Sequence, residues 1–443
     1  MTSVPAQPMT FAPGAPLRGT VAVPGDKSIS HRALMLAAMA RGRSRIDGLA
    51  EGADVASTAA ALRAMGVGIH RGEGTGWIVD GVGTGCLLQP GQALDMGNSG
   101  TSTRLLMGLV ASHPIVAAFI GDASLCRRPM DRVIRPLRRV GADIAASPGD
   151  RLPLTMRGVC AAVPTEYRLD IASAQVKSAL LLAGLNTPGV TRLIEPARTR
   201  DHSERMLRRF GADIAIETGA GGERSIALRG EAELRPQHIV VPGDASSAAF
   251  LAVAALIVPG SALRIAGVGS NPMRTGLFAT LREMGADLTF DIESEAGGEP
   301  VADLVIRASP LRGVDVPPEI VPAMIDEFPI LFVAAAFAHG TTRTTGLAEL
   351  RVKESDRIAA MAAGLRAIGA RIEESEDGLV IHGSGGEPLP GGAVVAAALD
   401  HRVAMSFAVA GLHCRQPVTV DDMTTVATSY PAFAATLEGL RAS

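Results

Sequence analysis

Aromatic side chains are scarce in this 443-residue chain, at 3%, with one tryptophan and two tyrosines. A chain that is nonetheless 47% hydrophobic, with 50 glycines, must build its core from small and aliphatic side chains packed closely. Charge of either sign is not in excess: the formal net charge is -3. That excludes the basic surface on which non-specific nucleic-acid binding depends. Only four cysteines occur, at 86, 126, 160 and 414. They have neither Cys-x-x-Cys nor Cys/His metal spacing, and they read as reduced thiols of a cytosolic protein. The longest apolar run, AAFLAVAALIV at 248–258, is well short of the roughly 18–20 residues of a membrane span. The start, MTSVPAQPMTFAPG, lacks the basic segment and apolar core of a signal peptide. These features predict a soluble, cytoplasmic protein. No GxxxxGK[ST] loop, strand-to-helix GxGxxG or GxSxG elbow occurs, so nucleotide cofactors and a hydrolase serine are not indicated.

What is present is repetition. VAVPGDKSISHRALMLAAMA at 21–40 returns as IVVPGDASSAAFLAVAALIV at 239–258, yet Lys27, His31 and Arg32 stand only in the first copy. A shorter period runs beneath it. LRAMGV at 62–67, LRRVGA at 137–142, LRRFGA at 207–212, LREMGA at 281–286 and LRAIGA at 365–370 share one signal, with a weaker LEGLRA at 437–442. Their spacing is about 74 residues, one sixth of the chain. Each leucine belongs to the last turn of an amphipathic helix, and the following glycine suits the left-handed residue that ends it.

In phase with these run six segments with a polar start and a nearly unbroken apolar body: 28–40, 99–111, 173–185, 246–258, 326–338 and 401–412. Helices apolar nearly all round are buried. The chain is therefore predicted to be α/β, built of six units of one buried helix, one amphipathic helix and several strands. Its length implies more than one core. The Pro-Gly-Asp copies head the first and fourth units, as a duplicated three-unit half would.

Polar groups gather where the buried helices begin. Lys27-Ser28 with Arg32, Asn98-Ser99-Gly100-Thr101 with Arg104, and Ser173-Ala174-Gln175 with Lys177 each place hydroxyls and a cation at a helix N-terminus, a composition suited to phosphate. Ser and Thr are also ordinary caps. Further cations precede the amphipathic helices in Arg127-Arg128-Pro129-Met130, Arg198–His202 and Arg351–Arg357. In the last, Lys353 and Arg357 are predicted one turn apart on a helical face, with Glu354 beside them. Asp326 opens a buried helix as a cap or a general base. Arg402 heads another, where it needs a partner. The inferred site is a cleft of cations with two or three carboxylates and no metal ligands, suited to phosphate- or carboxylate-bearing substrates and proton transfer.

PGDKSISHR (24–32), GNSGTSTR (97–104), RPM (128–130), SAQVKSALLLAGL (173–185), PGDASSAAF (242–250), DEFP (326–329), LRVKESDR (350–357) and DHRVAMSF (400–407) resemble the 5-enolpyruvylshikimate-3-phosphate synthase family, in order and over nearly the whole chain. The resemblance implies the two-domain enolpyruvyl transferase fold: six βαβαββ units, three per domain, as an inside-out α/β barrel with buried parallel helices. Residues 1–23 plus 243–443 would form one domain and 24–242 the other, with the active site in the cleft between them. It implies transfer of the enolpyruvyl group of phosphoenolpyruvate to the 5-hydroxyl of shikimate 3-phosphate, without cofactor or metal, in a monomer that binds neither nucleic acid nor membrane.

By the same resemblance Lys27, Asp326 and Glu354 are catalytic. Ser28, Arg32, Ser173, Ala174, Gln175, Arg200 and Lys353, with Lys27 and Asp326, surround shikimate 3-phosphate. Gly100, Arg128, Gln175, Arg357 and Arg402, with Lys27, hold phosphoenolpyruvate. Two positions depart from the common pattern. Ala174 stands where many relatives have serine, and Thr428 where many have lysine. Gly100 accompanies stretches otherwise like a subgroup that tolerates glyphosate, an inhibitor competing with phosphoenolpyruvate, so the resemblance leaves tolerance undecided. Two rivals are a UDP-N-acetylglucosamine enolpyruvyl transferase and a phospholigand-binding protein without turnover. Cys126 lies only two residues before Arg128, closer than the first rival's cysteine, and the intact Lys27, Asp326 and Glu354 argue against the second.

Overall fold

The computed structural model describes residues 5–72, 74–219 and 221–441. The chain divides into two compact units, each with its own hydrophobic core. Unit 1 takes the chain through Pro24, then Gly243–Ser294 and everything from Pro300 onward; unit 2 is Gly25–Pro242 with Glu295–Glu299.

Unit 2 is organised around α1 (Lys27–Met39), α2 (Gly100–Ala111) and α3 (Ala174–Leu185), buried along nearly their whole length. Their small residues let them approach closely: a Cβ on Gly108 of α2 would stand 2.2 Å from the Ala179 carbonyl of α3. Around α3 the sheet order is Glu166–Arg168, Val190–Glu195, Arg224–Arg229, Ile214–Thr218. The first two strands run parallel, joined through α3, and the last two form an antiparallel hairpin after helix His202–Arg209. That is one β-α-β-α-β-β unit. The sheet Leu94–Asp95, Val116–Ile120, Arg151–Arg157, Asp143–Ser147 repeats it around α2.

Unit 1 has the corresponding helices α4 (Ala245–Ile257), α5 (Phe328–Phe337) and α6 (His401–Gly411). α4 and α5 are buried at every residue and α6 at all but Arg402. The pairing at the two crossings explains the duplicated text. Strand Arg18–Ala22 leads into the first Pro-Gly-Asp but pairs in parallel with Ala262–Gly269 of unit 1. Strand His238–Val240 leads into the second but pairs in parallel with Arg41–Asp47 of unit 2. Each Pro-Gly-Asp thus ends a strand of one unit and starts a core helix of the other. The aspartates are the caps: Asp26 accepts from the Ile29 N–H at 2.9 Å, and Asp244 from Ser246 at 3.1 Å and Ser247 at 3.3 Å. Gly25 is required because a Cβ there would stand 1.8 Å from the Gly48 carbonyl.

The glycines after the amphipathic helices, Gly66, Gly141, Gly211, Gly285 and Gly369, all have positive φ, between 91° and 115°. The sixth repeat departs from the others. Its helix, Phe433–Arg441, has no hairpin after it among the described residues, and Ala442 of the LEGLRA signal lies outside them. Strand Met9–Phe11 from the start of the chain completes that sheet instead, antiparallel to Val418–Val420, which also pairs with Val394–Val395. The strands form separate sheets rather than a closed barrel among the described residues. Among the described residues no single helix is long and apolar enough to cross a membrane.

Candidate active site

In unit 2 the starts of α1, α2 and α3 carry the polar residues singled out in the sequence. Lys27, the first residue of α1, pairs with Asp54 at 2.5 Å, with both side chains largely buried. Asp54 sits in the first turn of helix Ala53–Ala64, an acidic residue suited to a helix N-terminus that sequence reasoning passed over. Arg32, one turn along α1 and buried, donates to the Ser28 carbonyl at 2.8 Å and to the hydroxyls of Ser203 at 2.8 Å and Ser178 at 2.7 Å. Burial, and then the charge of Arg200, lowers its pKa to about 10, so it stays charged at neutral pH in a place that an anion would stabilise. Beside it His31 is fully enclosed, its Nδ1 2.7 Å from the Thr58 hydroxyl. Burial first, then Lys27 and Arg32, hold its pKa well below the ordinary value, and it is neutral.

A second group surrounds Gly100. Arg104 donates to Gln175 Oε1 at 2.8 Å and to the Pro129 carbonyl at 3.2 Å, and Gln175 donates to Thr101 at 3.0 Å. Arg128 bonds Asn98 and lies 3.4 Å from Ser124. A Cβ on Gly100 would stand 2.8 Å from Arg104 Nη1 and 3.1 Å from Arg128 Nη1, so glycine leaves room beside two guanidinium groups.

Ser99 and Ser173 cap their own helices, accepting from the Ser102 N–H at 3.1 Å and the Val176 N–H at 3.4 Å. One sequence expectation is corrected in unit 2. Lys177, grouped with Ser173 and Gln175 as an anion-binding cation, is wholly buried between Glu195 at 2.9 Å and Glu204 at 2.8 Å. A buried ammonium requires counter-charges, and these two carboxylates occupy it.

In unit 1 the catalytic candidates form one charge network. Arg357, wholly buried, donates to Asp400 at 2.8 and 3.3 Å, Glu354 at 2.5 Å and Asp326 at 3.3 Å. Burial alone would lower its pKa, but Asp400, Glu354 and Asp326 together outweigh that and hold it charged. Lys353 also reaches Asp326, at 3.4 Å. The predicted shared helical face for Lys353 and Arg357 is not found. Asp356 caps the helix at Ala359 N–H, 3.0 Å away, so it begins at Arg357 and Lys353 stays in the loop. The two cations meet on Asp326 instead.

Helix α5 starts two residues after Asp326, and the residue at its N-cap is Glu327, which makes no side-chain cap bond. Arg402 finds the partners its position demanded, the Asp326 carbonyl at 3.1 Å and Glu327 at 3.5 Å. Asp400, missed in the sequence, caps α6 by accepting from the Arg402 N–H at 2.9 Å. Its signal was an aspartate directly before an apolar helix. Thr428 donates to the Thr425 carbonyl at 2.7 Å, within its own 3-10 turn. No group of three or more His, Cys, Asp or Glu side chains among the described residues is arranged to hold a metal.

The arrangement is two sets of cations and carboxylates at the starts of buried helices, repeated over the length of the chain. Its relatives have the same extent. The model of the family described as EPSP synthase (3-phosphoshikimate 1-carboxyvinyltransferase) matches residues 11–437. The chain is 64% identical over 445 residues to the 3-phosphoshikimate 1-carboxyvinyltransferase of Sphingopyxis alaskensis, covering 100% of both, and 61% identical to that of Zymomonas mobilis, covering 97% and 95%. The solved EPSP synthase of Acinetobacter baumannii superposes with a TM-score of 0.86 at 45% identity over 98% of each chain. The enolpyruvyl transferase NikO of Streptomyces tendae, at 22% identity and a TM-score of 0.77, shares the fold. With a family match across both units and relatives this similar along their full length, the chain belongs to the EPSP synthase family.

Proposed function

We propose that the chain transfers the enolpyruvyl group of phosphoenolpyruvate to the 5-hydroxyl of shikimate 3-phosphate, releasing inorganic phosphate. Family membership over residues 11–437 is the observation that carries this reading. The site supplies the chemistry. The 5-hydroxyl oxygen attacks C2 of phosphoenolpyruvate, its proton passes to a base, and C3 gains a proton to become a methyl group. The tetrahedral adduct then loses phosphate from C2 and a proton from C3, which restores the double bond as an enol ether. One base and one acid suffice, and no redox partner is required.

Asp326 and Glu354 take these roles. Both are held by Arg357, and Lys353 also steadies Asp326. Lys27, steered by Asp54, carries positive charge to the atoms between the two substrates. Ser28, Arg32, Arg200, Ser173, Ala174 and Gln175 surround shikimate 3-phosphate, together with Asp326 and Lys353. Ser173 caps its helix by accepting the Val176 N–H, which leaves its hydroxyl proton to donate to that substrate, and Ala174 offers backbone alone. Arg128, Arg357 and Arg402 hold the carboxylate and phosphate of phosphoenolpyruvate beside Gly100 and Gln175. Bidentate guanidinium groups suit both anions. The sets in the two units serve one reaction. A cytoplasmic monomer working without a cofactor completes the reading.

The test is phosphate release by the purified chain supplied with phosphoenolpyruvate. Release that needs shikimate 3-phosphate supports the proposal. Release with UDP-N-acetylglucosamine in its place would overturn the assigned acceptor, and no release with either would overturn the activity.

A further inference from the structure

The two Pro-Gly-Asp stretches carry serine at the same place, Ser28 and Ser246. In unit 2, Arg32 stands one turn beyond Ser28, where a phosphate is proposed to sit. In unit 1 the corresponding residue is Phe250, buried in the core. The Ser246 hydroxyl there donates to a carboxylate of the protein itself, Glu327.

Glu327 precedes α5 and is 2% exposed. Its Oε1 takes the Ser246 hydroxyl and lies 3.5 Å from both Arg274 Nη1 and Arg402 Nη1. Arg274 also binds the Ser246 hydroxyl at 2.7 Å and the capping carboxylate of Asp244 at 3.1 Å. The Oε2 atom is buried and has no hydrogen-bond partner among the described residues. A carboxylate oxygen enclosed without a donor is costly unless neighbouring cations compensate it. Glu327 therefore sits there for its charge. It ties the starts of α4, α5 and α6 to one point, and one of the groups it holds is the Arg402 guanidinium.

We propose that Glu327 is an internal anion, filling in unit 1 the kind of pocket that unit 2 leaves for a substrate phosphate, and that it positions Arg402 for phosphoenolpyruvate. This rests on the reading that Arg402 holds phosphoenolpyruvate. It also accounts for the unequal copies: the second Pro-Gly-Asp stretch keeps its serine and cap but receives its anion and guanidinium from elsewhere in the chain.

Steady-state kinetics on the full-length protein test this. Glu327→Gln keeps an acceptor for Ser246 but removes the charge, so KM for phosphoenolpyruvate should rise about tenfold while KM for shikimate 3-phosphate stays within about twofold. In Glu327→Ala, added formate should lower the raised KM for phosphoenolpyruvate by refilling the pocket. An unchanged KM for phosphoenolpyruvate, or equal rises in both KM values, would overturn the proposal. If neither Glu327 variant folds, Ser246→Ala decides: a rise confined to KM for phosphoenolpyruvate supports it, and no rise overturns it. Arg402→Lys separates the two readings. If that change leaves KM for phosphoenolpyruvate unaltered, the assignment of Arg402 fails; if it raises KM while Glu327→Gln does not, only the role of Glu327 fails.

Discussion

Gly100 shows how much one missing methyl group decides. Alanine there would press on the guanidinium ends of both Arg104 and Arg128. Gly100→Ala should raise KM for phosphoenolpyruvate about tenfold, with a smaller change for shikimate 3-phosphate; steady-state kinetics with each substrate varied in turn measure this. Lys27 depends on Asp54 in a different way, through a short ion pair at the start of two helices. Asp54→Asn should lower kcat about tenfold by releasing the ammonium from its place, and an unchanged kcat would remove Asp54 from the account.

His31 governs a pH response. Its folded pKa lies well below the unfolded value of about 6.5, chiefly through burial. The stability it contributes is therefore fully present above pH ~6.5 and is lost as pH falls below it, because the unfolded chain takes up the proton first. Urea midpoints at about pH 7 and about pH 5 should differ less for His31→Asn than for the unmodified chain.

Among the helices, the two aspartate caps both face buried cations. Asp26→Ala removes a cap and a negative charge that favours the charged form of Arg32, and should cost at least ~1 kcal/mol. Asp244→Ala removes a cap and also strips a counter-charge from Arg274, a buried guanidinium, so it should cost ~3–5 kcal/mol. Urea unfolding of the two variants compares them directly. The buried helices, the amphipathic helices and their glycine ends were legible because a period near 3.6 and a left-handed turn leave strong marks in sequence. The pairing of the strands that lead into the two crossings was not, since that of Arg18–Ala22 with Ala262–Gly269 depends on a partner over 200 residues away. Charged residues divided in the same way. Arg357 and Asp326 were visible as motif members, but whether a cation faces substrate or a buried carboxylate depends on its neighbours in space. Lys177, beside Glu195 and Glu204, was misread for that reason. Glu327 stood next to Asp326 in the quoted motif, yet only the contacts to Arg274, Ser246 and Arg402 separate their roles.

The whole chain is six copies of one unit whose edges are mended by strands from elsewhere. Met9–Phe11 is such a mend: it lies on Val418–Val420, and Phe11 is buried in the core of unit 1. Deleting residues 1–11 should cost roughly 2–3 kcal/mol from Phe11 alone, seen as a lower urea midpoint. Within this frame the repeat has been specialised: unit 2 keeps Arg32 and Arg200 near one another, and unit 1 surrounds Arg357 with carboxylates. In the proposed reaction Asp326 moves a proton during enolpyruvyl transfer. Phosphate release by Asp326→Ala, with both substrates saturating, tests it most directly. The expected result is a kcat lower by about 10²–10⁴-fold in a protein that remains folded. A folded variant that turns over at the unmodified rate would contradict it.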